Sequence, residues 1–254
     1  MKYTLITGAS SGIGQELAHI MAKKGHNLIL VARRKNRLDE IKKKLEKNNV
    51  EIKTISQDLS QVNSAKELYD KISAKKLQIN ILVNNAGFGK LQELKKTNLT
   101  EIQEMMHLNI VTPTELTHLF LTDLMKNKGR ILNVASIAAF LPGPQMSTYY
   151  ATKAYLSNFS IAMNEELKTS QVSVSTLYPG PTKTQFAQRA KAKVLFNNGT
   201  DSAKYVAMKG YEGMMNRKIK IIPTFKLKLG VILMALIPDT YKAKIAKKMH
   251  EGKL

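Results

Sequence analysis

Tyr149 and Lys153 are the residues of this 254-residue chain whose types and spacing best suit chemistry. Four residues apart on a helix, they share one face, so a phenol stands beside an ammonium. A free phenol titrates near ~10, and one pKa unit corresponds to about 1.4 kcal/mol. Proton transfer near neutrality therefore needs about three units of help, or about 4 kcal/mol. One cation at ~4 Å, at an effective dielectric of about 20, supplies that much before desolvation is subtracted. Tyr150 has no such partner, because Ala154 lies four residues beyond it. Tyr149 is thus the candidate acid/base, with a pKa expected to be lowered by Lys153. An isolated Tyr-x-x-x-Lys is more often an exposed surface pair, so the elements that position this one must decide.

Residues 2–7 read as a buried strand, followed by Gly8-Ala9-Ser10-Ser11-Gly12-Ile13-Gly14 and an apolar-periodic helix over 15–24. Strand, glycine turn and helix is the setting a dinucleotide fingerprint requires. Gly8 suits the tight turn, Gly12 a close approach to a pyrophosphate, and Gly14 close helix–strand packing, with the helix N-terminus facing the phosphates. The spacing is G-x-x-x-G-x-G rather than G-x-G-x-x-G. A second strand, 27–32, ends in Arg33-Arg34 with no carboxylate. An acid at that distance would hold the ribose 2′-hydroxyl of NAD, whereas an arginine accommodates the 2′-phosphate of NADP.

The alternation continues. A basic amphipathic helix spans 36–47 and a third strand 50–55, followed by Asp58. Asp58 has two readings: a hydrogen bond to an adenine amino group, or a cap on the next helix. That helix, 64–72, has Ser64 and Glu67 at capping-box spacing. A fourth strand, 79–83, runs into Asn84-Asn85-Ala86-Gly87-Phe88-Gly89. A long helix is expected from 98 to 125, with Asn98 and Glu101 as a second capping box and Asn109 inside it. Strands at 129–135 and 172–177 flank a helix over 149–169, and the last of these strands leads to Pro179-Gly180-Pro181-Thr182-Lys183-Thr184. With no hairpin signals, this is an α/β chain: a doubly wound parallel sheet of about seven strands with helices on both faces. The glycine turn, 84–89, Ser136 and Pro179-Gly180 all fall at strand C-terminal ends, where ligands bind in such sheets. Their convergence favours the functional reading of Tyr149.

Composition narrows the classes. At 43% hydrophobic residues the chain can bury a substantial core. It has no cysteine, which excludes disulfides, thiolate catalysis and cysteine-ligated zinc, and it suggests no metal site. Residues 1–6 enter a strand pattern with no signal-peptide core before them, so a cytoplasmic location is expected. The net charge of +21 favours encounters with anions without bearing on fold. No nucleic-acid-recognition motif accompanies it.

Together these motifs resemble the short-chain dehydrogenase/reductase superfamily. Residues 7–14 match its cofactor turn and 84–87 its fourth-strand signature. Asn109, Ser136, Tyr149 and Lys153 match the order and spacing of its catalytic tetrad. Residues 179–184 resemble the segment closing over the nicotinamide. Val31-Ala32-Arg33-Arg34 and the basic C-terminal extension look like the group named as dehydrogenases of various substrate specificities. The resemblance implies a Rossmann-type fold and an oxidoreductase using NADP(H) by preference, with NAD(H) as the alternative. Ser136 would bind the substrate carbonyl, Tyr149 would transfer the proton, Lys153 would hold the nicotinamide ribose, and Asn109 would break its helix and hold a relay water. It implies cofactor contacts from Gly8, Ser10, Ser11, Gly12, Ile13, Gly14, Arg33, Arg34, Asp58, Asn85, Ala86, Gly87, Pro179, Gly180, Thr182 and Thr184, and a homodimer or homotetramer. Two departures stand out. Ser11 precedes Gly12 where many NADP-preferring relatives carry a basic residue, and Thr182 replaces a frequent valine or isoleucine.

A single domain over 1–254 is expected, with 185–254 as substrate loop and C-terminal extension. In that region Phe186, Val194, Leu195 and Phe196 alternate with Arg189, Lys191 and Lys193, a helix is expected over 201–215 and an edge strand over 219–222. The apolar stretch 227–237 lies between basic residues and ahead of a basic helix over 241–250. It reads either as a lid or as a peripheral membrane contact. Apolar residues at 137–142 suggest a hydrophobic ketone or aldehyde, fatty-acyl or steroid-like. The rival functions are a catalytically silent NADP(H)-binding regulator and a membrane-surface ketoacyl-type reductase.

Overall fold

The structure is a computed structural model that describes residues 1–192 and 200–252. The expected alternation at Lys193, Val194, Leu195 and Phe196 lies outside the described residues. In chain order the elements are β1 (Lys2–Thr7), α1 (Gly12–Lys23), β2 (Asn27–Ala32), α2 (Lys35–Leu45), β3 (Ile52–Ser56), α3 (Ser64–Ser73), β4 (Gln78–Asn84), α4 (Leu99–Met106), α5 (Thr112–Lys126) and β5 (Arg130–Val134). There follow α6 (Ser147–Glu166), β6 (Ser173–Leu177), β7 (Thr182–Lys183), α7 (Phe186–Arg189), β8 (Asp201–Ser202), α8 (Ala203–Met215), β9 (Lys220–Ile221), α9 (Phe225–Ala235) and α10 (Asp239–His250).

The main sheet has seven strands in the order β3-β2-β1-β4-β5-β6-β9, each pairing parallel. The connections reverse direction at β1, so the C-terminal ends of β1 and β4 diverge there and leave a crevice. The strands are apolar on both faces because both are covered. Successive side chains alternate between two cores. Ile6, Leu28 and Leu30 join Leu17, Met21, Leu38 and Met214 beneath α1, α2 and α8. Leu5, Ile29 and Val31 join Leu68, Leu116, Phe120 and Leu124 beneath α3 and α5. A second, two-stranded sheet pairs β7 with β8, which periodicity did not suggest.

The helix expected over 98–125 forms as α4 and α5 joined by a π turn, His107–Val111, which falls at Asn109, where the resemblance implied a local break. Pro113 accounts for it, since it has no N–H to give the carbonyl four residues back, that of Asn109, and its ring crowds that carbonyl. Asn98 does cap α4, accepting from the Thr100 N–H at 2.8 Å, but Glu101 turns away to Lys90. The capping box at Ser64 is absent: Asn63 precedes α3 with φ of +64° and no side-chain cap bond, and Ser64 Oγ has no hydrogen-bond partner.

Candidate active site

β1 delivers the chain into Gly8, whose φ of +67° suits glycine. A Cβ there would lie 2.7 Å from Asn85 Nδ2, and one at Gly14 would lie 2.5 Å from the Gly8 carbonyl oxygen. Bare backbone at both positions lets α1 start against the end of β4. Ser11, at the N-cap of α1, makes no side-chain cap bond, so the first-turn N–H groups face the crevice as an anion site. Asn85 Nδ2 donates to the carbonyls of Thr7 (2.9 Å) and Gly8 (3.2 Å). Thr7 Oγ1 accepts from the N–H groups of Asn85 and Ala86, both at 3.0 Å. Thr7 fell inside the matched turn without a role assigned to it; the signal for one was a hydroxyl closing an apolar strand.

Arg34 reaches back over this turn. It donates to Ser10 Oγ at 3.0 Å and to Gln185 Oε1 at 2.8 Å, joining the glycine turn to the segment after β7. Arg33 pairs with Asp58 at 3.4 Å in an exposed contact. Burial would raise the Asp58 carboxyl, but the Ser60 amide and hydroxyl and the Arg33 guanidinium hold it below the usual carboxylate range. Asp58 thus caps the turn that precedes α3 while lining the crevice. Gln185 and Gln188, which the sequence did not single out, line it too.

The tyrosine and lysine lie on the buried side of α6, at 8% and 5% exposure, which removes the exposed-pair alternative. Their electrostatics differ from expectation. Lys153 Nζ donates to the Val134 carbonyl at 2.9 Å and stands 5.8 Å from the Tyr149 ring centroid. Burial raises the Tyr149 phenol, and a hydrogen bond from Ser136 brings it only part of the way back. The expected lowering by Lys153 is absent, because desolvation outweighs an ammonium already bound to a carbonyl. Burial pushes Lys153 itself down to about 8.

Ser136, two residues past the end of β5, caps the short turn Ile137–Phe140, accepting from the Ala138 N–H at 3.1 Å. Asn109 sits in the π turn, almost fully buried. Its amide donates to the Phe88 carbonyl at 2.9 Å and to Thr152 Oγ1 at 3.0 Å, and its oxygen accepts from the Phe88 N–H at 3.2 Å. Gly87 lies between Asn109 and Lys153: a Cβ there would be 3.0 Å from Asn109 Oδ1 and 3.4 Å from Lys153 Nζ. Pro179 accepts from the Ile137 N–H at 3.0 Å, and Gly180 packs against Leu227 of α9. Thr182 Oγ1 donates to the Gly180 carbonyl at 2.9 Å, and Thr184 packs on Gly12. One cleft of about 1450 Å³ is lined by Ser136, Tyr149 and Lys153, by the glycine turn and by Arg33 and Arg34. Asn109 stands behind its lining, one residue layer from Lys153. Ala86 and Ile13 line the cleft as well.

A parallel sheet whose strand order turns back beside a glycine-lined helix start is a Rossmann-type, dinucleotide-binding architecture. The chain belongs to the short chain dehydrogenase family, whose profile matches residues 2–195. It is 32% identical over 202 residues to the very-long-chain 3-oxoacyl-CoA reductase of Rattus norvegicus, covering 75% of this chain and 62% of that one. The chain thus spans less than two thirds of that relative's length. A short-chain dehydrogenase from Sphingobium yanoikuyae in complex with NADPH is 28% identical, with a TM-score of 0.83 and coverage of 94% of this chain and 97% of that one. A bulky-bulky ketone specific alcohol dehydrogenase from Comamonas testosteroni is 29% identical, with a TM-score of 0.78 and coverage of 96% and 98%.

The lowered Lys153 predicts a pH signature. From about 8 to the ordinary value of 10.5 the unfolded chain binds a proton that the native chain does not. The cost of burying the charge is therefore full below pH 8 and is relieved as pH rises through that window. Lys153→Met has no such cost. Its stability advantage in urea denaturation, measured against the wild type, should be largest near neutrality and shrink steadily toward high pH. A constant difference between pH 7 and pH 10.5 would show that Lys153 titrates normally.

Proposed function

We propose that the chain is an NADP(H)-dependent oxidoreductase that interconverts a carbonyl and an alcohol on a mostly hydrophobic substrate. The observation carrying this is a buried phenol, hydrogen-bonded to Ser136 and one helical turn from Lys153, in the same cleft as a bare glycine turn and two arginines. That cleft fits the cofactor: the amides at the start of α1 suit a pyrophosphate, and Arg33 and Arg34 suit a 2′-phosphate. Bound there, NADPH supplies a hydride. Ser136 Oγ hydrogen-bonds the substrate oxygen and Tyr149 Oη delivers the proton to it. Lys153 takes the ribose hydroxyls and lowers the phenol from its raised position. Asn109, across Gly87 from Lys153, completes the relay by holding a water. The remaining cofactor contacts follow the residues named for the family resemblance.

Ile137, Phe140, Leu141, Met146, Leu227 and Met234 line the substrate side, which supports an apolar fatty-acyl or steroid-like carbonyl. The names of the rat and Comamonas relatives agree with such a substrate. The family resemblance supports a homodimer or homotetramer joined through the helices over 99–125 (α4 and α5) and 147–169 (α6).

Tyr149→Phe keeps the ring and removes the transferable proton. It should retain NADPH binding and lose turnover by about 10²–10⁴-fold. Turnover comparable to wild type would refute the assignment, and NADPH binding without turnover by the wild type on a carbonyl panel would leave the silent regulator. Arg33→Ala with Arg34→Ala should raise KM for NADPH far more than for NADH. Equal effects on both would remove the arginines from 2′-phosphate recognition.

A second reading has its own observation. One face of α9 lines the cleft through Leu227, Val231 and Met234, while Phe225, Leu229, Ile232, Leu233 and Leu236 are exposed, Phe225 by 80% and Leu236 by 81%. Lys226 and Lys228 lie in α9 and Lys242 and Lys244 in α10. Among the described residues no helix is long and apolar enough to cross a membrane. We read α9 as both lid and peripheral contact, lying on an anionic bilayer with its outer face among the headgroups. Co-sedimentation with anionic but not neutral vesicles, weakened by salt and by deletion of 224–254, is the expected result. No binding to anionic vesicles at low salt leaves α9 as a lid alone.

A further inference from the structure

We infer that His250, the last residue of α10, is a positioning residue that fixes the substrate-side wall of the cleft and sets its selectivity among carbonyl substrates. This rests on the oxidoreductase reading above. The observation is a buried histidine that joins two segments about a hundred residues away and touches neither Tyr149 nor Lys153.

α10 is largely exposed and buries only Ala246 and His250. Filling space does not call for a histidine, since a leucine or phenylalanine would bury more apolar area at no polar cost. His250 instead makes two directed bonds. Its Nδ1 lies 2.6 Å from the Pro144 carbonyl oxygen. A carbonyl only accepts, so Nδ1 carries a proton. Its Nε2 lies 2.8 Å from Tyr150 Oη. In a neutral imidazole that nitrogen must accept, so Tyr150 is the donor. Burial pushes the imidazole pKa down, which favours this neutral form.

The two bonds add to a wall otherwise held by the Met146 N–H, which donates to the Gly143 carbonyl at 3.0 Å, and by the buried Met146 side chain. The Tyr150 ring meets His250 edge-on at 5.4 Å and Tyr149 edge-on at 6.0 Å. It lies flat against Gly143, where a Cβ would come 2.5 Å from the ring. Between Gly143 and Met146, Gln145 has a φ of +66°, a conformation a glutamine adopts only when its surroundings hold it. Its carbonyl accepts from the Gln92 N–H at 2.7 Å, and the Pro144 carbonyl is held by His250. Leu141, Met146 and Tyr150 from this wall face the same cleft as Ile245 and Met249 of α10. His250 therefore locks two opposed linings to each other, next to Tyr149 but not through it. A bulky substrate needs both linings in register, and a small carbonyl needs neither.

The test compares His250→Phe, Tyr150→Phe and the double variant. The measured quantity is kcat/KM for a bulky apolar ketone divided by that for a small one, with NADPH. Tyr150→Phe, which removes one of the two bonds, should lower the ratio by about tenfold, the scale of one net hydrogen bond, through KM for the bulky ketone. His250→Phe removes both bonds and should lower the ratio at least as far, and the double variant should do no more than His250→Phe, because the Tyr150 bond is already lost there. The dissociation constant for NADPH should not move. An unchanged ratio, or singles that add in the double, overturns the inference. Amide hydrogen exchange across 141–146 gives a second readout that needs no turnover: faster exchange in His250→Phe supports the inference, and exchange equal to wild type overturns it. Wild-type protein that turns over no carbonyl would defeat the functional reading alone, and the exchange result would still decide the role of His250.

Discussion

The Lys153 ammonium has to be buried without a carboxylate to meet it, and the arrangement of the site follows from that constraint. Its direct partner is the Val134 carbonyl at the end of β5, at 2.9 Å. Burial alone lowers its pKa. A lone neutral acceptor does not repay the loss of water around a charge, so the site holds an ammonium ready to gain from any further oxygen ligand. The sugar hydroxyls of a dinucleotide are such ligands. The phenol of Tyr149 is desolvated in the same way and is raised rather than lowered. Burial thus moves the two groups in opposite directions, the phenol up and the ammonium down.

Backbone contacts rather than charges build the frame around that pair. Thr7 and Asn85 tie the end of β4 to the glycine turn through four hydrogen bonds between 2.9 and 3.2 Å. Asn109 ties the π turn to the Phe88 backbone and to Thr152 on α6. Farther down, Asn84 donates to Asn133 at 2.9 Å and Asn133 to Ser160 at 2.8 Å, so a buried polar chain crosses from β4 through β5 to α6. Buried networks of this kind fix direction more than they add stability, and in this one Asn84 Oδ1 is left without a partner. They hold the glycine turn, the Asn109 kink and the face of α6 that carries Tyr149 and Lys153 in one register.

Surface charge has a different part. Pairs such as Lys66–Asp70, Arg37–Glu40 and Lys209–Glu212 are exposed contacts along single helices. Each contributes about 0–1 kcal/mol, so they say little about why the chain folds. The excess of +21 acts at longer range, on the rate at which anionic partners meet the chain.

Much of this chain was legible because it is local. The two-residue alternation that splits Leu5 from Ile6 identifies a strand with two covered faces. The glycines at 8, 12 and 14 identify a turn that only bare backbone can make, and the spacing of Tyr149 and Lys153 identifies a shared helix face. These are properties of a few consecutive residues, and the sequence by itself determined them. The break at His107–Val111 was equally local, with Pro113 as its signal. Asn63 displaced the expected cap at Ser64 because a turn with positive φ ends differently from a regular N-cap. What tertiary structure alone decided were quantities set by distant neighbours. The direction of the Tyr149 shift depends on how completely the fold removes water from α6. The partners of Arg34 come from Ser10 and from Gln185, and the bond between Tyr150 and His250 spans a hundred residues. Local spacing states which groups a chain offers. Packing states which of them lose water and which meet, because desolvation and contact depend on segments that the chain brings together only after it has folded.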